Sequence, residues 1–308
     1  MRYPRNIIID TDPGVDDAVA VLFACARTEE LNILGLTTVA GNVSIKRALK
    51  NARAVCEMAG RRDIRVYEGC AKPISRSPVK DYSVDTAIKL GHLSLPNLVA
   101  PAQGDHAVDY IVATLRSEPR RSVSLCALGP LTNIATAFLR APDVVANVEQ
   151  IVLMGGAHFE FGNVTPNAEF NILADPEAAD IVVNSGVDIV FVPLDVTHRV
   201  LITPERNQRL RSLGNVAGTA CAKLLEDYAT CSAPLHDPCV IGYLLAPELF
   251  QGKSVNVQIE TISDLTTGMT VTDWRKVSNR KENALFLTEV DSDGFFDLLF
   301  HSLARADF

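Results

Sequence analysis

The chain has no excess of positive charge. Its 308 residues carry 29 Lys and Arg against 37 Asp and Glu, a formal net charge of −8. A nucleic-acid surface announces itself as a basic patch, so no nucleic-acid partner is expected. No run approaches the roughly 18 consecutive apolar residues of a membrane span, and no membrane partner is expected either. The start, Met1-Arg2-Tyr3-Pro4-Arg5, is basic, but only the short run Ile7-Ile8-Ile9 precedes Asp10, too little for the core of a signal peptide. The seven cysteines (25, 56, 70, 126, 221, 231, 239) include no CxxC pair, which removes zinc ribbons and thioredoxin-type motifs. Reduced thiols in apolar surroundings fit a cytoplasmic setting. No GxGxxG opens a helix, so the dinucleotide-binding fingerprint is missing. Trp274 is the only tryptophan, and no aromatic cage is evident. Repeats, low-complexity tracts and dividing linkers are absent, so residues 1–308 read as one domain.

Hydrophobic residues make up 47%, enough for a substantial core. Short apolar runs alternate with helical patterns, which predicts an α/β fold: a mostly parallel central sheet covered by helices. Strands are expected at Arg5–Asp10, Leu31–Val39, Arg65–Tyr67, Val123–Leu128, Ile151–Met154, Asp188–Pro193, Val255–Glu260, Met269–Thr272 and Ala284–Glu289. Helices are expected at Asp16–Arg27, Val43–Ala59, His106–Arg116, Leu131–Leu139, Pro176–Asn184, Pro204–Leu213, Val216–Ala229, His236–Leu245 and Phe295–Ala304. The stretch 75–103 has no clear period and reads as a loop or lid insertion.

The most informative segment is Asp10-Thr11-Asp12-Pro13-Gly14-Val15-Asp16-Asp17-Ala18, with four carboxylates in eight positions directly after an apolar strand. Like charges this close raise each other's pKa unless a cation sits among them, and an all-oxygen set suits Ca²⁺ or Mg²⁺. In open α/β sheets ligands bind at the carboxyl ends of the strands. Asp10, Asp12, Asn42, Leu128 and Met154 all fall at that edge if the strands are parallel.

The same segment resembles the N-terminal signature of the nucleoside hydrolases of the inosine-uridine-preferring type. Further matches follow in the family's order: Thr38-Val39-Ala40-Gly41-Asn42, Gly129-Pro130-Leu131-Thr132-Asn133, Met154-Gly155-Gly156, Asn163, Ala168-Glu169-Phe170-Asn171, Asp175-Pro176-Glu177-Ala178-Ala179 and His236-Asp237-Pro238. The resemblance spans essentially the whole chain. It implies that Asp12, Asp17 and Asp237, with the main-chain carbonyl of Leu128, hold Ca²⁺, and that Asp10 supports this ring from behind. It implies that Asp16, Asn42, Asn163, Glu169 and Asn171 hydrogen-bond the ribose, and that Met154 packs against ribose or base. Asp12 is then the base that takes a proton from water, while His236, a residue suited to general-acid work, and Tyr228 serve the leaving nucleobase.

The implied reaction is hydrolysis of the N-glycosidic bond of a ribonucleoside by direct displacement, with no covalent sugar–enzyme intermediate. The implied assembly is a homo-oligomer, dimer or tetramer. One departure stands out. Where the family carries a His-Gly step, this chain reads Lys89-Leu90-Gly91-His92-Leu93, with the two residues reversed; His92 is a substrate-contact candidate from that loop. His198, in Asp195-Val196-Thr197-His198, is a candidate for the pocket's border or for a supporting role. A phosphohydrolase of the haloacid-dehalogenase type also places Asp-x-Asp after its first strand, but has no place for Asp16-Asp17 or His236-Asp237-Pro238. A calcium-dependent nucleoside- or sugar-binding protein would keep the site without turnover.

Overall fold

The computed structural model describes residues 4–79, 90, 102–306 and 308. Residue His92 and most of the expected 75–103 insertion lie outside the described residues. The chain opens with β1 (Arg5–Thr11) and α1 (Val15–Cys25), followed by β2 (Leu31–Thr38), α2 (Ile45–Met58) and the short β3 (Val66–Glu68). Next come α3 (Ala107–Ser117), β4 (Val123–Ala127), α4 (Thr132–Arg140) and β5 (Val148–Met154). Two helices in succession, α5 (Phe170–Ala174) and α6 (Pro176–Val183), lead to β6 (Ile189–Val192) and the four-residue α7 (Leu194–Thr197). Helices α8 (Pro204–Arg211), α9 (Val216–Leu224), α10 (Glu226–Thr230) and α11 (Pro238–Leu245) follow. The last part holds β7 (Phe250–Val255), β8 (Val257–Ile259), β9 (Thr270–Thr272), β10 (Ala284–Val290) and α12 (Ser292–Ala304).

Eight strands form one sheet in the order β3-β2-β1-β4-β5-β6-β10-β7. Every neighbouring pair is parallel except β10 with β7. The period-two rule of strands sorts the side chains. Ile7 and Ile9 enter the core on one face, with α1, α2, α9, α11 and α12, whereas Ile8 enters the core on the other, with α3, α4 and α6. Because both faces are covered, β1, β4, β5 and β6 are nearly continuous apolar runs. Phe23 of α1 meets Phe295 of α12 edge-on at 6.4 Å between ring centroids. Both are fully buried, and each contributes about 2–3 kcal/mol by removal from water.

The strand order decides where a ligand can sit. It runs outward from β1 through β2 to β3 on one side and from β4 to β5 and β6 on the other. The crevice at such a reversal, at the carboxyl ends of the strands, is the natural binding site of an open α/β sheet. β1 delivers Asp10 and Thr11 to that edge, and α1 starts four residues after its end, at Val15.

Three expectations are corrected, and one strand escapes the sequence pattern. The stretch Val255–Glu260 is not one strand: β7 ends at Val255 and β8 starts at Val257, in a separate hairpin with β9. Asn256 makes the break, since its side chain is tied to the Lys281 carbonyl at 2.7 Å. Strand β7 itself was hidden by its polar sequence, Gln-Gly-Lys-Ser, which suits an antiparallel sheet edge. The helix expected over Val216–Ala229 is broken at Leu225, which caps both α9 and α10. The helix expected from His236 starts at Pro238 instead, with Asp237 as its N-cap residue; proline is favoured at the first helical position. Among the described residues no helix is long and apolar enough to cross a membrane.

Candidate active site

Four buried aspartates meet at the carboxyl end of β1. Asp10, Asp12 and Asp17 are at most 1% exposed, and Asp16 is 8% exposed. Asp237, brought in by the turn before α11, is 4% exposed and makes a fifth. Carboxylate oxygens of Asp16, Asp17 and Asp237 lie within 4.8 Å of one another, close enough to share one metal ion.

Each acid has its own anchor. Thr11 Oγ1 donates to Asp17 Oδ1 at 2.5 Å, and the Gly14 amide donates to Asp17 Oδ2 at 2.9 Å. Asp16 accepts from the backbone amides of His236 and Asp237, which joins the start of α1 to the turn before α11. Asp16 and Asp17 stand in the first turn of α1, where the helix dipole favours negative charge. Asp12 accepts from the Asn42 amide through Oδ2, while its buried Oδ1 has no hydrogen-bond partner among the described residues. Its carboxyl is wedged between two glycines: an added Cβ at Gly41 would stand 2.1 Å from Oδ2, and one at Gly129 would stand 2.5 Å from Oδ1. Asp10 lies behind, held by Thr37 Oγ1 at 2.5 Å and Asn133 Nδ2 at 2.7 Å.

Burial pushes every one of these carboxyls upward. Asp10 rises to about 7 and Asp17 to about 6, burial being the largest cause in each case. Asp12, Asp16 and Asp237 move the same way for the same first reason, with neighbouring aspartate charge adding to it at Asp12 and Asp237. The Asp17 and Asp237 carboxyls face each other closely enough that each shifts the other. No Lys or Arg is among the largest influences on Asp12, Asp16, Asp17 or Asp237. A dense set of buried carboxylate oxygens, and an Asp12 Oδ1 with no hydrogen-bond partner among the described residues, fit a hard divalent cation.

The other expected residues gather around this cluster. The Leu128 carbonyl accepts from Asn171 Nδ2 at 2.9 Å, and the same Nδ2 reaches the Met154 carbonyl at 3.1 Å. Asn171 Oδ1 is buried and has no partner among the described residues, so it is an atom open to a ligand. Asn163 Oδ1 accepts from the Phe170 amide at 2.9 Å. Met154 is buried. Tyr228, on α10, has its phenol pushed up chiefly by the charge of Asp16, with burial second; the ring is thus within electrostatic reach of the cluster. His236 Nδ1 is 2.9 Å from Thr197 Oγ1, and burial lowers its pKa to about 4. His198 stands beside it, ring centroids 5.9 Å apart.

Glu169 caps α5: its carboxylate accepts from the amides of Asn171, Ile172 and Gly156. Three amide donors should lower its pKa, yet burial outweighs them and lifts it to about 7 from an ordinary 4.5. The folded chain therefore keeps a proton that the unfolded chain loses, and stability falls as pH rises from about 4.5 to about 7. Denaturant titrations in chelator at pH 5 and pH 8 should show this loss in the wild type. In Glu169→Gln the loss should be smaller by roughly 3 kcal/mol. Identical pH dependence in the two proteins would refute the assignment.

Sequence reasoning missed the residues that hold the acids. Thr11, Thr37, Asn133 and Thr197 each anchor an expected site residue. The available signal was a polar side chain at the carboxyl end of an apolar strand, as in Leu36-Thr37-Thr38.

Comparison with known proteins identifies the family. The family described as inosine-uridine preferring nucleoside hydrolase matches residues 7–297. An uncharacterized protein of Schizosaccharomyces pombe is 44% identical, covering 97% of this chain and 99% of its own length. A protein of Shewanella sp. (strain MR-7), named pyrimidine-specific ribonucleoside hydrolase RihA, is 42% identical over 97% of this chain and 96% of its own. Among solved structures, a plant nucleoside hydrolase, PpNRh1, superposes with a TM-score of 0.89 at 32% identity, covering 98% of this chain and 99% of its own. With the acidic cluster at the sheet's reversal and a match along nearly its full length, the chain belongs to the inosine-uridine preferring nucleoside hydrolase family.

Proposed function

We propose that this protein hydrolyses the N-glycosidic bond of ribonucleosides, giving free base and ribose, with Ca²⁺ held by Asp12, Asp17, Asp237 and the Leu128 carbonyl. The observation that carries this reading is the buried acidic cluster at the sheet's reversal point. Asp16 lies in the same cluster, placed to serve either the ion or a ribose hydroxyl. Calcium bound there supplies positive charge and makes a neighbouring water more acidic.

The chain's own groups do the rest. Asp12 Oδ1, buried and unpartnered, takes the proton from the attacking water. Asn163, Glu169, Asn171 and Asn42 orient the ribose through its hydroxyls, as a desolvated sugar requires. The negative side chains around the anomeric carbon stabilise the positive charge that develops as the bond to the base breaks. His236 and Tyr228 hydrogen-bond the departing base. Burial keeps His236 neutral at pH 7, so its role is hydrogen bonding through a neutral ring.

The Shewanella relative's name favours a pyrimidine, so uridine and cytidine are the first substrates to test. A panel of ribonucleosides and 2′-deoxyribonucleosides, with and without chelator, tests the reading. Free base should appear from the ribo set and only weakly from the deoxy set. No release of base from any ribonucleoside would refute it.

Gly41 offers a sharper probe of the Asp12 wedge. Any Cβ there must displace the Asp12 carboxyl or Pro130 Cδ, which would be 2.7 Å away. Gly41→Ala is expected to lower kcat/KM by about 10²-fold, the loss produced by misplacing a reacting group by about 1 Å. Steady-state kinetics with a parallel thermal melt checks this; wild-type kinetics would show that the wedge is irrelevant.

A further inference from the structure

The short helix α7 follows β6 and carries Asp195 and Thr197, which are 2% and 0% exposed. Neither belongs to the acidic cluster. The Asp195 carboxylate accepts from three successive backbone amides of the loop beyond β5: His158 at 2.9 Å, Phe159 at 2.6 Å and Glu160 at 3.3 Å. The Leu194 amide of the same helix donates to the Gly156 carbonyl at 2.9 Å. This loop runs on to Asn163, whose own side chain is tied to the Phe170 amide. One residue pair away, Thr197 Oγ1 holds His236 Nδ1. A single helical turn thus grips both the 158–160 loop and the His236 ring.

Three consecutive amides converging on one carboxylate fix a loop's path more tightly than side-chain packing does, because each bond is directional and charge-assisted. Likewise, a partner on Nδ1 fixes a histidine's ring plane and leaves Nε2 for the ligand. Building on the ribonucleoside-hydrolase reading, we propose that Asp195 and Thr197 are positioning residues: Asp195 sets the ribose-binding loop and Thr197 sets the His236 ring toward the leaving base.

The two arms separate with two substrates. A ribonucleoside needs help for its leaving base, whereas p-nitrophenyl β-D-ribofuranoside releases a stabilised phenolate that needs none. Both present the same sugar. In the full-length, calcium-loaded protein, Asp195→Asn keeps the side chain's shape but turns one acceptor into a donor facing an amide. It is expected to raise KM for both substrates about tenfold, with a smaller change in kcat. Thr197→Val is expected to lower kcat on the ribonucleoside about tenfold, and at least about five times more than on the phenyl riboside. Thr197→Ser should restore it.

The proposal is overturned if KM for both substrates stays within about threefold of wild type in Asp195→Asn, or if Thr197→Val slows both substrates alike. Should Asp195→Asn fold poorly, hydrogen exchange on the wild type still decides the first arm. The Phe159 and Glu160 amides should be protected, and exchange at the rate of an open loop would overturn the clamp. A wild type inactive on every ribonucleoside would defeat the underlying reading instead, and the exchange measurement would still report on the clamp.

Discussion

Asp12→Asn is expected to lower kcat by about 10³-fold or more while the protein stays folded, since a positioned general base contributes roughly 10²–10⁴-fold. The side chain is buried between Gly41 and Gly129 and holds the Asn42 amide. Asparagine has the same shape, fits the same wedge and can still accept that hydrogen bond. It cannot take a proton from water, and it contributes no charge to a bound cation. The stability readout has a definite sign. In the metal-free protein the Asp12 carboxyl is raised by burial first and then by Asp17, so removing its charge should leave the chelated form as stable as wild type or more so. Near-wild-type kcat would remove Asp12 from the chemistry; an unfolded variant would contradict the packing described for the wedge.

Removing the divalent cation is the second large effect. Chelation is expected to reduce turnover by about 10³-fold, and Ca²⁺, not Na⁺ or K⁺, should restore it. The same treatment should lower the melting temperature. A ligand present at about a thousand times its Kd stabilises the folded state by about 4 kcal/mol. The stability gap between loaded and chelated protein should widen as pH rises through the range where burial resists ionisation, which reaches about 6 for Asp17 and about 7 for Asp10. Full activity in chelator, with the melt unchanged, would mean that the acidic cluster serves another purpose.

The sequence made the sheet legible because its central strands are buried on both faces. Runs such as Ile7-Ile8-Ile9 and Ile189-Val190-Phe191-Val192 admit few other readings once helical patterns separate them. The parts that escaped are those where local chemistry overrides pattern. β7 is an edge strand whose polar residues look like a loop, and Asn256 interrupts a hydrophobic stretch with a side-chain tie that no periodicity reveals. The helix over 216–229 keeps its pattern through Leu225, but the backbone there leaves the helical path.

The candidate site was legible for the opposite reason. Asp10, Asp12, Asp16 and Asp17 sit where a soluble fold gains nothing from crowding charge, so their presence signals chemistry. Their supports were not legible. Asn133 reaches Asp10 across 123 positions of chain, and Asp195 reaches the loop at 158–160 only because β5 and β6 are neighbours in the sheet. Such contacts follow from strand order, which pattern alone does not supply.

Crystals grown with excess Ca²⁺, examined for anomalous and difference density, test the metal cage directly. One peak per chain is expected, enclosed by the carboxylates of Asp12, Asp17 and Asp237 and the carbonyl of Leu128. Clear density for those side chains with no ion among them would contradict it.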